Sequence, residues 1–404
     1  MRRVTDFFQQ AGWLDRTRAR GYLVVFALVN LAALGFLIAT SHGGVDRNGF
    51  LLGTDFLSFW TAGQMLHAHP PANVYDAAAH IAAQRAFFAP KDAYTAFFYP
   101  PPFLLFCWTL GFLGYFAALA GWLVATGGVF LLAVRLWLRR TGMAPPPIVL
   151  FAAFPPVLIA ITHGQTALLV AALLGLGALL VRDRPWVAGA LFGLAVIKPQ
   201  FGLLVPIVLL LTREWRVLTG AVLTAALLGL IATVAFGPQV WRDWLSASNA
   251  AQLAMDDGAV GYAKMQSVFA AARLFGAPSE VAFALQGGLT LAVTGAVAWA
   301  SHGRRYDLPL AALMLAGALL VTPFVLDYDM VLLGFPLIWL AVQGFRPWEK
   351  TIFTAAFVAP AFARPLALAV GVPIMPAILV ALFMVLLRRV VETPRMAGSP
   401  AVSA

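Results

Sequence analysis

Asp55 stands in Gly53-Thr54-Asp55-Phe56, between two apolar stretches. A carboxylate there can accept the proton of an attacking hydroxyl, a general-base role worth about 10²–10⁴-fold in rate. It can equally cap the helix expected over 56–66. Lys198 ends an apolar run directly before Pro199 and Gln200. An ammonium at membrane depth costs about 2.5–3.5 kcal/mol at the centre and needs a partner. That partner is a lipid phosphate, or else the side chain snorkels to the interface. Gln200 can donate to a phosphate or a sugar, or serve as a packing amide. His163 and Gln165 flank Gly164 in a tight turn, where the histidine is either a ligand or a structural residue. Asp327 and Asp329 flank Tyr328, a spacing open to a divalent cation, to sugar hydroxyls or to a helix cap. Tyr99 lies in Phe98-Tyr99-Pro100-Pro101-Pro102, and Lys264 in a charged stretch with Asp256 and Asp257. The histidines show no zinc spacing. No phosphate-binding glycine loop, dinucleotide fingerprint or serine elbow is present, so ATP use and serine hydrolysis are unsupported.

The elements that must hold these residues are membrane helices. Hydrophobic residues make up 61% of the 404 and charged residues 11%, against about 25% charged in soluble domains. Apolar runs recur from residue 22 to 389, each approaching the length that crosses a hydrocarbon core of about 30 Å. The expectation is an all-α polytopic bundle of about twelve spans: 22–40, 115–138, 148–162, 166–181, 185–199, 201–212, 217–236, 279–300, 308–322, 329–344, 350–368 and 372–389. Residues 1–21 form a basic cytoplasmic N-terminus, 22–390 one membrane domain, and 391–404 a disordered cytoplasmic tail. A first outer loop covers 41–114 and a second 237–278. The first carries Asp46, Asp76 and Asp92 with His42, His67, His69 and His80. Interfacial helices are expected there and over 267–276. Residues 101–113 are placed at the interface because two spans within 101–138 would put Arg135, Arg139 and Arg140 outside.

This arrangement leaves 19 of the 27 Lys and Arg on the cytoplasmic side, the bias membrane insertion favours. The net charge of +10 is thereby explained without a nucleic-acid partner. The single Cys107 excludes an internal disulfide and a cysteine metal cluster. No cleavable signal peptide is evident, and no internal repeat suggests inverted transporter halves. The same charge count puts five polar constellations on the outer face: those around Asp55, Tyr99, His163–Gln165, Lys198–Gln200 and Asp327–Asp329.

The stretches Thr54-Asp55-Phe56-Leu57-Ser58-Phe59-Trp60, Val74-Tyr75-Asp76 and Phe98-Tyr99-Pro100-Pro101 resemble glycosyltransferase family 87, membrane enzymes of the GT-C class. So does the block from His163-Gly164-Gln165-Thr166 through Arg184-Pro185 and Lys198-Pro199-Gln200 to Arg213-Glu214-Trp215-Arg216. The resemblance covers about residues 20–345. It implies transfer of a sugar, with inversion, from a polyprenyl-phosphate donor to a hydroxyl acceptor on the non-cytoplasmic face of a bacterial inner membrane. The acceptor would be a glycolipid or polysaccharide and the sugar a hexose such as mannose. The family's first-loop Asp, the general base, maps onto Asp55. Lys198 becomes a candidate for the donor phosphate, and Gln200, His163, Gln165, Tyr99, Lys264, Asp327 and Asp329 complete the candidate substrate contacts. Donors of this kind need no metal, so no cofactor is expected. Two other readings stand beside it: a transporter or flippase of a lipid-linked saccharide, and a non-catalytic scaffold.

Overall fold

The computed structural model describes residues 2–68, 70–88 and 95–393. His69, Lys91, Asp92, Arg395 and the expected tail from 394 onward lie outside them. All regular structure among the described residues is helical, with isolated bridges and no strand.

Four helices are long and apolar enough to cross a bilayer: Arg16–Ala39, Tyr115–Thr141, Trp215–Phe236 and Ser279–Ser301. Each leaves large apolar side chains uncovered: Leu28, Val124, Val234 and Leu291 are 62–79% exposed. In water such surfaces would aggregate; against hydrocarbon they are what a spanning helix must present. The chain is an integral membrane protein.

The remaining apolar runs are shorter and interrupted, so length and composition do not reproduce about twelve crossings. The helix Ala167–Leu180 has 14 residues, a rise of about 21 Å, short of a 30 Å core. Proline breaks account for several interruptions. The run expected over 148–162 splits at Phe154, ahead of Pro155 and Pro156, into Pro147–Ala153 and Pro155–His163. The run over 350–368 bends by 73° between Glu349–Val358 and Pro360–Val370. Between Pro185–Leu194 and Leu204–Leu211 the chain passes through two 3-10 turns, Ala195–Ile197 and Pro199–Gly202, with Lys198 between them. The run over 329–344 begins as a 3-10 helix, Asp327–Leu333, and continues as Gly334–Val342.

Two further expectations meet short helices. Residues 101–113 give a 3-10 turn Pro101–Phe103 and a helix Leu104–Leu110, followed by the unbroken 27-residue helix Tyr115–Thr141. Residues 267–276 contain the helix Val268–Leu274. The two long connections pack on each other: Trp244, on the helix Gln239–Asp256, donates its indole N–H to the Phe98 carbonyl at 3.1 Å. Pro185–Leu194 lies against Trp215–Phe236 through Gly189 and Gly193. A Cβ at Gly189 would fall 2.4 Å from the Val217 carbonyl. This is the small-xxx-small approach by which membrane helices pack closely.

Candidate active site

The site is assembled where two connections meet helix ends. The helix Pro155–His163 closes on Gly164, whose φ of 63° is the left-handed conformation glycine adopts without penalty. A Cβ there would sit 2.5 Å from the Phe56 Cβ, so the close approach also requires glycine. The segment around Asp55 runs beside this turn. The Gly53 N–H donates to Thr162 O at 3.1 Å and the Asp55 N–H to His163 O at 3.0 Å. Trp122 donates to Gly164 O, and the Tyr115 hydroxyl to Leu52 O at 2.7 Å. Asp55 and Gln165 are thus held side by side by backbone pairing.

Gln165 then orients the carboxylate. Its Oε1 accepts the Thr166 N–H at 2.9 Å and the Tyr99 hydroxyl at 2.9 Å. A backbone N–H can only donate, so this end of the amide is the oxygen. The Nε2 is left to donate to Asp55 Oδ2 at 2.8 Å. The second donor to that oxygen is Lys264, with Nζ at 3.3 Å. Lys264 is placed by two antiparallel backbone bonds: Asp327 N–H to Lys264 O at 3.1 Å and Gln266 N–H to Val325 O at 2.8 Å. One short pairing therefore positions both Lys264 and the Asp327–Asp329 turn.

Asp55 begins the helix Phe56–Ala68, yet its carboxylate bonds to Gln165 and Lys264, not to the first N–H groups of that helix. It lies outside the spanning helices, and its side chain is 13% exposed. Burial pushes its pKa up. The Lys264 charge, the field of His163 and the bonds from Gln165 and Lys264 outweigh burial, and the net result lies below the ordinary carboxylate value. The group is ionised at neutral pH and keeps a small exposed edge, the two requirements for taking a proton from an incoming hydroxyl.

Lys198 is held differently. Its Nζ meets Asp329 Oδ1 at 2.7 Å, with side chains 6% and 3% exposed. Asp329 Oδ2 accepts the Leu326 N–H at 3.0 Å, so the capping alternative applies to this residue. Asp327 lies 3.6 Å from the Arg364 guanidinium. Each acid already faces a cation, which leaves the pair unsuited to a divalent ion. Among the described residues no group of three His, Cys, Asp or Glu could hold a metal. Lys198 does not snorkel; it is paired within the protein.

The Tyr328 ring is close to both ammoniums, 4.9 Å from Lys198 Nζ and 5.3 Å from Lys264 Nζ, within cation–π range. The His163 ring is 5.9 Å from it. His163 Nδ1 sits 2.9 Å from the Ile159 carbonyl, so Nδ1 carries the proton and Nε2 is an acceptor in the neutral ring. Of the nine candidate residues, Asp55, Gln165, Tyr99, Lys264, His163, Lys198, Asp327 and Asp329 join one contiguous network. Gln200 does not: its side chain makes no hydrogen bond among the described residues. Sequence reasoning named Tyr328 and Thr166 only as members of motifs, without a role, and passed over Tyr115 and Trp122. Only the position of Tyr328 between two acids could have drawn attention to it.

Residues 97–326 match the family model described as glycosyltransferase family 87. The chain belongs to glycosyltransferase family 87. The matched region holds Tyr99, His163, Gln165, Lys198, Gln200 and Lys264, while Asp55 precedes it and Asp327 and Asp329 follow. No curated protein and no solved structure matches the chain. Membership makes this protein an enzyme that moves a sugar from a donor to an acceptor, and sets aside the transporter and scaffold readings.

Proposed function

We propose that this membrane glycosyltransferase takes a hexose, mannose in the family's pattern, from a polyprenyl-phosphate donor. It passes the sugar to a hydroxyl of a glycolipid or polysaccharide, with inversion and without a metal. The observation that carries the reading is the Asp55 carboxylate: ionised, partly open to solvent, and aimed by Gln165 and Lys264. In the reaction the acceptor O–H gives its proton to Asp55. The acceptor oxygen attacks the anomeric carbon, and the bond from that carbon to the phosphate oxygen breaks, releasing polyprenyl phosphate. A phosphate leaving group needs no protonation, so one carboxylate is sufficient. Lys264 is the cation best placed to meet the developing phosphate charge. It is 17% exposed at the side chain and reaches Asp55 by a longer contact than the Lys198 pair makes. Lys198 then supports the site through Asp329 and Tyr328.

The same reading sets the protein in a bacterial inner membrane with both ends cytoplasmic and Asp55 on the periplasmic face. It takes the GT-C arrangement of about twelve apolar segments, some of them broken or partial crossings. The basic residues between segments support that orientation. The test uses purified enzyme in detergent, a radiolabelled polyprenyl-phosphate mannose and a lipid extract as acceptor. Transfer is expected with wild type and lost in Asp55→Asn at normal expression. Undiminished transfer by the variant would overturn the general-base assignment.

A further inference from the structure

The helix Ala167–Leu180 leads away from Gln165, and its far end lies about 21 Å from its start. There the starts of Pro185–Leu194 and Trp215–Phe236 meet the end of Leu204–Leu211. They border a half-open surface cavity of about 340 Å³ lined by Val181, Arg182, Pro185, Arg213, Glu214, Trp215 and Arg216. The volume lies in the range of small-molecule sites, about 300–1,000 Å³. The catalytic reading makes no use of this end of the molecule.

Three guanidiniums face one carboxylate. Arg182 bonds Glu214 at 2.8 Å. The side chains of Arg213 and Arg216 are exposed and make no ion pair or hydrogen bond among the described residues, so three guanidiniums line the cavity against the single Glu214 carboxylate. The backbone adds a second observation. Arg213 has φ of 58° and occupies the left-handed position that ends Leu204–Leu211, with Glu214 N–H on Leu209 O at 2.8 Å and Arg213 N–H on Leu210 O at 3.2 Å. Glycine fills that position of the motif without strain. An arginine there is strained, and what it adds over glycine is a guanidinium at the cavity.

We propose that this cavity binds the phosphate of an anionic lipid headgroup. Arginine forks pair with phosphate oxygens two at a time. The helix beginning at Trp215 has no side-chain cap, so its first N–H groups add to the attraction for an anion. Trp215 is 57% exposed, as suits an aromatic ring at the headgroup level. Placement at the end of apolar helices favours a lipid-borne phosphate over a free ion.

The experiment uses the full-length protein in detergent and three probes: short-chain phosphatidylglycerol, short-chain phosphatidylcholine and inorganic phosphate. Affinity is read by titration calorimetry and unfolding by thermal melting. Phosphatidylglycerol should bind saturably, one per chain, at least tenfold more tightly than either other probe, and more weakly as salt rises. Arg213→Gly should weaken that binding at least tenfold while the lipid-free melting temperature stays level or rises, because glycine relieves the backbone. Arg216→Gln should weaken binding similarly and serves as the test if Arg213→Gly does not fold. Unchanged affinity in a folded variant overturns the proposal, as does equal binding of phosphatidylglycerol and phosphatidylcholine. Inorganic phosphate binding as tightly as the lipid would make this a free-ion site and overturn the lipid assignment.

Discussion

Two lysine–aspartate pairs share the Tyr328 ring as a neighbour, and they are built differently. Lys198 and Asp329 touch at 2.7 Å with 6% and 3% of their side chains exposed, and Asp329 also accepts a backbone N–H. Lys264 and Asp55 are at 3.3 Å with 17% and 13% exposed. The first pair is a closed contact that nothing can enter without leaving a buried charge alone. The second is longer and wetter, and its carboxylate is shared with a neutral amide. Taking charges out of water is repaid only by close, complete pairing, which the first pair has. A carboxylate that must exchange its partner for a substrate hydroxyl cannot be so enclosed. The difference separates an acid locked to its partner from one whose partner can be exchanged.

The sharpest way to break this comparison is to neutralise the two acids in turn. Asp55→Asn should lower transfer by about 10²–10⁴-fold with little change in melting temperature. Asp329→Asn should act on stability, costing about 3–5 kcal/mol by leaving Lys198 uncompensated. The double variant Lys198→Met with Asp329→Leu should recover most of that loss in a melting experiment. If Asp329→Asn melted as wild type and only lost activity, the assignment of roles would have to be exchanged.

Smaller effects sharpen the account of Asp55. Gln165→Leu removes one hydrogen bond to a charged group, worth about 1.5–3 kcal/mol. It should lower kcat roughly 10- to 100-fold and leave expression unchanged. Lys264→Met removes the largest influence that holds the Asp55 pKa down, so burial, which raises it, prevails. The acid limb of the pH–rate profile should therefore move to higher pH; a shift to lower pH would contradict the electrostatic account. The sign for stability follows the same logic. In wild type the folded pKa lies below the ordinary 3.8, so this group's contribution is complete above that value and is lost as pH falls through the folded pKa. Tyr99→Phe should give the smallest change. It removes a neutral hydrogen bond to Gln165 and one to Thr166; the first, about 0.5–1.5 kcal/mol, corresponds to roughly two- to tenfold in rate.

The comparison also marks how far the sequence reaches. The membrane class follows from composition, because no water-soluble core can hold that many apolar residues with so few charges. The candidate residues follow from the cost of burying polar groups: Asp55, Lys198, His163 and the Asp327–Asp329 turn stand out against their apolar flanks. Helix interruptions at Pro155 and Pro360 are in principle legible, because proline removes a backbone donor. The 3-10 turns on both sides of Lys198 are less so, because an apolar pattern there reads equally well as a continuous span.

What the sequence could not settle is which charge meets which. Gln165 reaches Asp55 across 110 positions, Lys198 reaches Asp329 across 131, and Lys264 reaches Asp55 across 209. Contacts at such separations are chosen by how the helices pack, not by local preference. From sequence, Lys198 was the foremost phosphate contact and Lys264 one loop residue among several. Packing encloses the first with Asp329 and brings the second to Asp55. The residue types that make transfer chemistry available were written in the chain; their division into an enclosed pair and a longer, more exposed pair came from the tertiary fold, because burial and distance, not identity, decide whether an ion pair can open.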